Sequence, residues 1–83
     1  MTHALEMTSG FRFSPSSLTI AVGDSVRVHN AATEAHTFTG STFDSGNMNS
    51  GAVKTFRFPK AGTFDFVCSY HQTSGMTGTL TVR

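Results

Sequence analysis

Short runs in which β-branched or aromatic residues alternate with polar ones recur along this 83-residue chain. The clearest runs cover 18–22, 26–28, 55–58 and 77–83. Alternation with a period of two places one set of side chains on one face of a strand, and no segment keeps a helical period over a useful length. The pattern predicts an all-β fold, a Greek-key sandwich or barrel of about seven to eight short strands with phenylalanines between the sheets.

Glycine and proline clusters predict where these strands turn. We expect Gly23 and Asp24 to turn the strand over 18–22 into the strand over 26–28 as a hairpin. The run over 77–83 is expected to close the fold, with Leu80 facing inward.

Length and charge limit the classes of partner. A chain of 83 residues predicts a single domain over 1–83, which is small enough to benefit from a bound metal. The net charge of +1 and a charged fraction of 13% argue against nucleic acid or a strongly charged partner. No stretch reaches the roughly 20 apolar residues of a membrane span.

The residues with the strongest chemical signal are Cys68, His71 and Met76, which share one short stretch, and His36 upstream. A thiolate, two imidazoles and a thioether do not suit Mg²⁺ or Ca²⁺, and they leave copper or zinc as candidates, with the affinity order favouring copper. A trigonal plane of two histidines and one cysteine with a weak axial methionine is typical of blue-copper electron-transfer sites. Each residue type alone is more often a packing residue, so the hypothesis depends on their combination and spacing.

Alternation also predicts where this site lies. Cys68 shares a strand face with Phe66, and His36 shares a face with Phe38. Both donors should therefore point to the apolar side at one end of the sandwich. Backbone N–H groups near Thr37 are expected to donate to the Cys68 sulfur, and we expect the same near Tyr70.

The pattern Cys-x2-His-x4-Met after an upstream Ala-His-Thr resembles the cupredoxins, and its loop spacing is similar to that of plastocyanins and pseudoazurins. Further segments similar to that family extend the resemblance over nearly the whole chain: Phe13-Ser14-Pro15, Val22-Gly23-Asp24-Ser25-Val26 and Ala61-Gly62-Thr63-Phe64.

The resemblance implies one type 1 copper ion with His36, Cys68 and His71 as equatorial ligands and Met76 as the axial ligand. It implies a monomeric electron carrier, not an enzyme, that cycles between Cu(I) and Cu(II). Redox partner proteins would dock at an apolar patch where His71 reaches the surface between Tyr70 and Met76. The family also implies a periplasmic or other extracytoplasmic location, so we expect a leader or anchor segment ahead of this sequence.

The chain departs from the family pattern in ways that matter for the site. The segment between His36 and Cys68 is shorter than in plastocyanins, so we expect the polar loop over 40–52 to replace the usual flap. Thr37 stands where many cupredoxins carry Asn, whose side chain usually bonds to the ligand loop, here residues 68–76. We expect the hydroxyl of Thr37 or of Ser69 to make this hydrogen bond instead. An acidic docking patch is not apparent, which argues against a photosynthetic plastocyanin role.

Several alternatives stay open at this stage. The chain can be a copper protein for sequestration or delivery, an engineered minimal cupredoxin, or a β-sandwich interaction module without metal. His3 offers a second copper hypothesis, in which the terminal amine, two amides and the imidazole wrap Cu(II) in a square plane. The alternative for His3 is a disordered terminus.

Overall fold

The computed structural model describes residues 1–70 and 76–83, so the predicted ligand His71 lies outside the described residues. The described residues form eight β-strands, and no helix long and apolar enough to cross a bilayer is found among them. The strands are β1 (Thr2–Thr8), β2 (Arg12–Ser14), β3 (Ser17–Ile20), β4 (Ser25–Asn30), β5 (Thr39–Gly40), β6 (Val53–Arg57), β7 (Gly62–Val67) and β8 (Thr77–Val82).

The strands of the described chain make two four-stranded sheets that pack face to face. One sheet has the order β2-β1-β4-β6 and the other has the order β3-β8-β7-β5. Two pairs are parallel, β1 with β4 and β3 with β8, and the remaining neighbours are antiparallel. This architecture confirms the all-β sandwich predicted from the alternation.

The prediction of a hairpin at Gly23 and Asp24 is wrong. The strands on either side belong to different sheets, because β3 pairs with β8 whereas β4 lies between β1 and β6. The turn itself is real: Gly23 has a φ of 88°, and the Asp24 N–H donates to the Ala21 carbonyl at 3.0 Å. It carries the chain from one sheet to the other, since alternation predicts a strand but does not say which distant strand it joins.

Aromatic rings fill the space between the sheets. Phe38 and Phe66 are fully buried, with ring centroids 4.9 Å apart, and burying one such ring contributes about 1.5–3 kcal/mol. A Cβ at Gly78 would overlap the Phe66 ring and would lie 2.7 Å from the Ser16 carbonyl oxygen. Glycine at position 78 therefore lets β8 pass close to the central ring. The predicted inward position of Leu80 on the same strand is confirmed.

The loop over 41–52 contributes apolar side chains to the core, although its sequence is mostly polar. Met48 is fully buried, and Phe43 stacks on Phe38 with centroids 5.0 Å apart. This loop takes the place that we expected for a reduced flap, and it covers one side of the core. It also brings Met48 against the segment that carries His36.

Candidate metal centre

Cys68 follows directly after β7, at the point where the strand leaves the sheet. Its side chain is fully buried, as is that of Phe66 two residues earlier, so the predicted alternation is confirmed here. The Cys68 N–H donates to the Met76 carbonyl at 3.1 Å, which brings the start of β8 beside the cysteine. Met76 is also fully buried. Cys68 and Met76 therefore occupy one end of the sandwich, which we call the ligand end.

His36 reaches the ligand end from a segment between β4 and β5. The predicted strand in which His36 and Phe38 share a face is wrong, because this segment forms no strand and Thr37 between them is buried as well. Two backbone hydrogen bonds with Met48, of 3.0 and 2.8 Å, hold this segment, and the imidazole is fully buried. The His36 Nδ1 atom lies 3.6 Å from the Cys68 Sγ atom. Nitrogen and sulfur donors at about 2.0 and 2.3 Å from one ion in a roughly tetrahedral site are themselves about 3.5 Å apart. The two donors thus have the separation that a shared soft metal ion requires.

Thr37 makes two bonds that organise the site. Its backbone N–H donates to the Cys68 Sγ atom at 3.4 Å, as predicted for the thiolate. Its hydroxyl oxygen accepts a hydrogen bond of 2.8 Å from the Ser69 N–H. The prediction that a hydroxyl replaces the usual asparagine tie is confirmed, and Thr37 supplies it. The second sulfur bond, expected near Tyr70, stays a prediction.

Comparison with known proteins identifies the family. Residues 1–82 match the cupredoxin-like domain model. A plastocyanin from Scenedesmus fuscus is 33% identical over 87 residues, covering 86% of each chain. This chain belongs to the cupredoxin-like family. Membership confirms the predicted fold family, with copper as its cofactor and electron transfer as its function.

Solved structures agree on the fold of this cupredoxin. A purple cupredoxin from Nitrosopumilus maritimus superposes with a TM-score of 0.88 at 22% identity, covering 98% of this chain and 99% of that one. A copper-containing nitrite reductase from Thermus scotoductus SA-01 gives the same TM-score at 22% identity. The match covers all of this chain but 22% of the reductase chain, so the cupredoxin is similar to one part of that larger protein.

Asn30 is a buried polar residue at the ligand end that was not predicted from the sequence. Its Nδ2 atom donates to the Met48 carbonyl at 2.8 Å and to the Glu34 carbonyl at 3.0 Å. Its Oδ1 atom accepts from the Ala32 N–H at 3.0 Å. The signal was available, because Asn30 continues the inward register of Val26 and Val28 on β4, where a polar residue needs partners.

The surface of the ligand end differs from the predicted patch in one respect. Met76 is fully buried and contributes nothing to the surface, so its predicted place in the docking patch is wrong. Tyr70 is 53% exposed, and its hydroxyl donates to Asn47 Oδ1 at 2.9 Å. Phe11, which is 37% exposed, lies edge-on to the His36 ring with centroids 6.4 Å apart. The aromatic surface that the described residues present here is therefore formed by Tyr70 and Phe11.

His3 lies at the opposite end of this cupredoxin. It belongs to β1, and its Nε2 atom is 2.9 Å from Asp24 Oδ2, while the Met1 amine lies 3.2 Å from Asp24 Oδ1. The hydrogen bond with His3, the Ala21 N–H and the terminal amine lower the pKa of Asp24 to about 2. The terminus is thus an ordered strand, and the square-planar copper chelate would have to remove residues 1–3 from the sheet.

Among residues 1–70 and 76–83, no three His, Cys, Asp or Glu side chains come together as a metal cluster. The described donors at the ligand end are His36 and Cys68, with Met76 buried beside the cysteine. The fourth predicted ligand, His71, falls in the segment outside the described residues. The donor set that is described fits copper by its chemistry and by the separation of the nitrogen and sulfur atoms.

Proposed function

We propose that this cupredoxin is a one-electron carrier whose single domain, residues 1–83, holds one copper ion through His36, Cys68, His71 and Met76. The observation that supports the site most strongly is the 3.6 Å separation of His36 Nδ1 and Cys68 Sγ in a buried position. The assignment of His71 follows from its place two residues after Ser69 in the ligand loop and from the family pattern.

Copper supplies a one-electron couple between Cu(I) and Cu(II) when it is bound. The chain's own residues keep the donors in place between the two states. Backbone hydrogen bonds to Met48 hold His36, and the Thr37 N–H donates to the Cys68 sulfur, where it stabilises thiolate charge. Because His36 and Cys68 are fully buried, water has little access to them, which favours small rearrangement on electron transfer.

The relatives favour a carrier over an enzyme, because the plastocyanin is 33% identical to this chain whereas the nitrite reductase is 22% identical. Copper sequestration or delivery is the competing role, and it predicts rapid metal exchange without a fast, reversible couple.

The docking surface that we propose lies at the ligand end around His71. Tyr70 and Phe11 are exposed there, and the net charge of +1 gives little long-range steering, so apolar contact should dominate recognition of a redox partner protein. We propose further that this cupredoxin acts as a monomer, does not bind nucleic acid, and works in the periplasm or another extracytoplasmic compartment.

The test is a visible-spectrum titration of copper-free protein with Cu(II), followed by ascorbate. We expect an intense red-region band that saturates at one equivalent and bleaches on reduction, and we expect Cys68→Ser to abolish it. Met76→Leu should keep copper and raise the reduction potential. Met7→Leu is a matched change at another fully buried methionine, and it should keep copper and leave the potential unchanged. A weak band that survives Cys68→Ser would place copper at His3 or a surface histidine and contradict the proposal.

A further inference from the structure

A carboxylate lies behind the buried imidazole at the ligand end. The Glu34 Oε1 atom is 3.3 Å from the His36 Nε2 atom, on the side of the ring away from Cys68. Both atoms are shielded from solvent, and their contact lies within ion-pair distance without the alignment of a hydrogen bond. The Glu34 side chain as a whole is 34% exposed. The ring therefore faces a sulfur through Nδ1 and a carboxylate through Nε2.

Glu34 is held in this position by its neighbours. The Thr33 hydroxyl donates to Glu34 Oε2 at 3.1 Å, and Asn30 Nδ2 donates to the Glu34 backbone carbonyl at 3.0 Å. Asn30 also binds the carbonyl of Met48, the residue that pairs with His36. One network thus positions the carboxylate and the imidazole relative to each other.

The chemistry of this arrangement defines the state of the ring. A carboxylate beside Nε2 favours the neutral tautomer that carries its proton on that nitrogen, because the negative oxygen attracts an N–H and repels a lone pair. The lone pair is then on Nδ1, the atom 3.6 Å from the Cys68 sulfur. The negative charge also favours a dication over a monocation in the site.

We infer that Glu34 is a positioning residue for the copper centre, whose carboxylate orients the His36 ring and stabilises Cu(II) relative to Cu(I). The effect on the reduction potential rests on the proposed function, because it requires bound copper. The effect on the His36 tautomer can be measured in copper-free protein.

The molecule provides a matched control in a second glutamate and histidine pair. Glu6 Oε1 lies 3.4 Å from His29 Nδ1, but these side chains are 52% and 32% exposed on the outer face of β1 and β4. Glu6→Gln removes the same charge as Glu34→Gln, from a pair that water screens.

The first experiment is ¹⁵N NMR of the copper-free histidine rings. In the wild type and in Glu6→Gln we expect His36 protonated on Nε2. Glu34→Gln should keep this tautomer, because the amide oxygen still accepts, while Glu34→Ala should reduce its population. A His36 ring that is protonated on Nδ1 in the wild type, or a tautomer population unchanged in Glu34→Ala, would contradict the positioning role of Glu34.

The second experiment is voltammetry of the copper-loaded proteins. Loss of such an outer partner costs about 10- to 100-fold in metal affinity, and a tenfold loss confined to Cu(II) equals a rise of about 59 mV in a one-electron potential. We expect at least this rise in Glu34→Gln and little change in Glu6→Gln. If Glu34→Gln and Glu6→Gln both fold and have equal reduction potentials, the electrostatic role of Glu34 is overturned. A wild type without a thiolate band or couple would instead refute the proposed function, and the NMR result would still decide the tautomer.

Discussion

The ligand end and the opposite end of the sandwich are stabilised in different ways. At the ligand end, hydrogen bonds from Asn30, Thr37 and the backbone of His36 hold buried donor atoms. At the other end, which we call the distal end, a groove of about 290 Å³ is lined by four phenylalanines, Phe43, Phe56, Phe58 and Phe64. Directional bonds fix the chemistry at one end, whereas apolar volume supplies stability at the other. Changes at the two ends should therefore have separable effects.

The largest effect on stability is expected at the distal end. Phe58 is buried against Phe43, with perpendicular rings whose centroids are 5.4 Å apart. Phe58→Ala should lower the free energy of unfolding of the copper-free protein by about 3–5 kcal/mol, as measured by urea denaturation. Val22→Ala, at a 47% exposed position, should stay within about 0.5 kcal/mol. A shifted copper band in Phe58→Ala would show that the two ends are coupled.

A smaller effect on stability is expected at the ligand end. Thr37→Val removes the hydroxyl that accepts from the Ser69 N–H but keeps the backbone N–H that binds the Cys68 sulfur. We expect a loss of about 1 kcal/mol, together with faster copper removal by a chelator and an unchanged band energy. Thr55→Val, on the exposed side of β6, is the control for the chemical change. A displaced band in Thr37→Val alone would mean that the hydroxyl, and not the backbone, tunes the sulfur.

The smallest effect is an acid dependence at the distal end. The folded pKa of Asp24 is lowered to about 2 from 3.8, mainly through its hydrogen bond with His3. Because the folded pKa is the lower one, this contribution to stability is complete above about pH 5 and is lost progressively as the pH falls through 2.

Melting temperatures of copper-free protein between pH 5 and pH 2 test this acid dependence. Asp24→Asn should be less stable than the wild type at pH 5, and the difference should narrow towards pH 2. His3→Gln should reproduce part of the effect, since it removes the largest cause of the shift. If the difference in melting temperature between wild type and Asp24→Asn stayed constant from pH 5 to pH 2, the effect of the substitution would come from packing and not from the charge of Asp24.

The strands and most of the described donors could be predicted from the sequence because they follow local rules. Alternation placed Cys68 on the buried face of its strand, and the family pattern gave Thr37 its role. His36 is buried as expected, but outside any strand and in an unbroken run with Thr37 and Phe38. Strand pairing could not be predicted at Gly23, since the same turn can close a hairpin or cross between sheets. The position of Phe11 could not be predicted either, because its φ of 60° places it in the turn before β2, beside His36.

Glu34 carries a signal that is visible in the sequence. It lies two residues before His36, so a pattern that predicts His36 and Phe38 on one face also includes Glu34. A carboxylate on the face of a predicted ligand is a signal for an outer partner of the metal. The contact itself depends on Asn30 and Thr33, whose side chains approach Glu34 only in the folded chain.

The two bonds made by Thr37 differ in how they respond to sequence change. The bond to the Cys68 sulfur comes from the peptide N–H, which every residue except proline supplies, whereas the bond to Ser69 needs a side-chain acceptor. A substitution at position 37 can thus remove or restore the hydrogen bond to the Ser69 N–H, while the Cys68 sulfur keeps its backbone donor. A lineage of such proteins can alter how quickly metal enters and leaves without retuning the electron affinity of the centre.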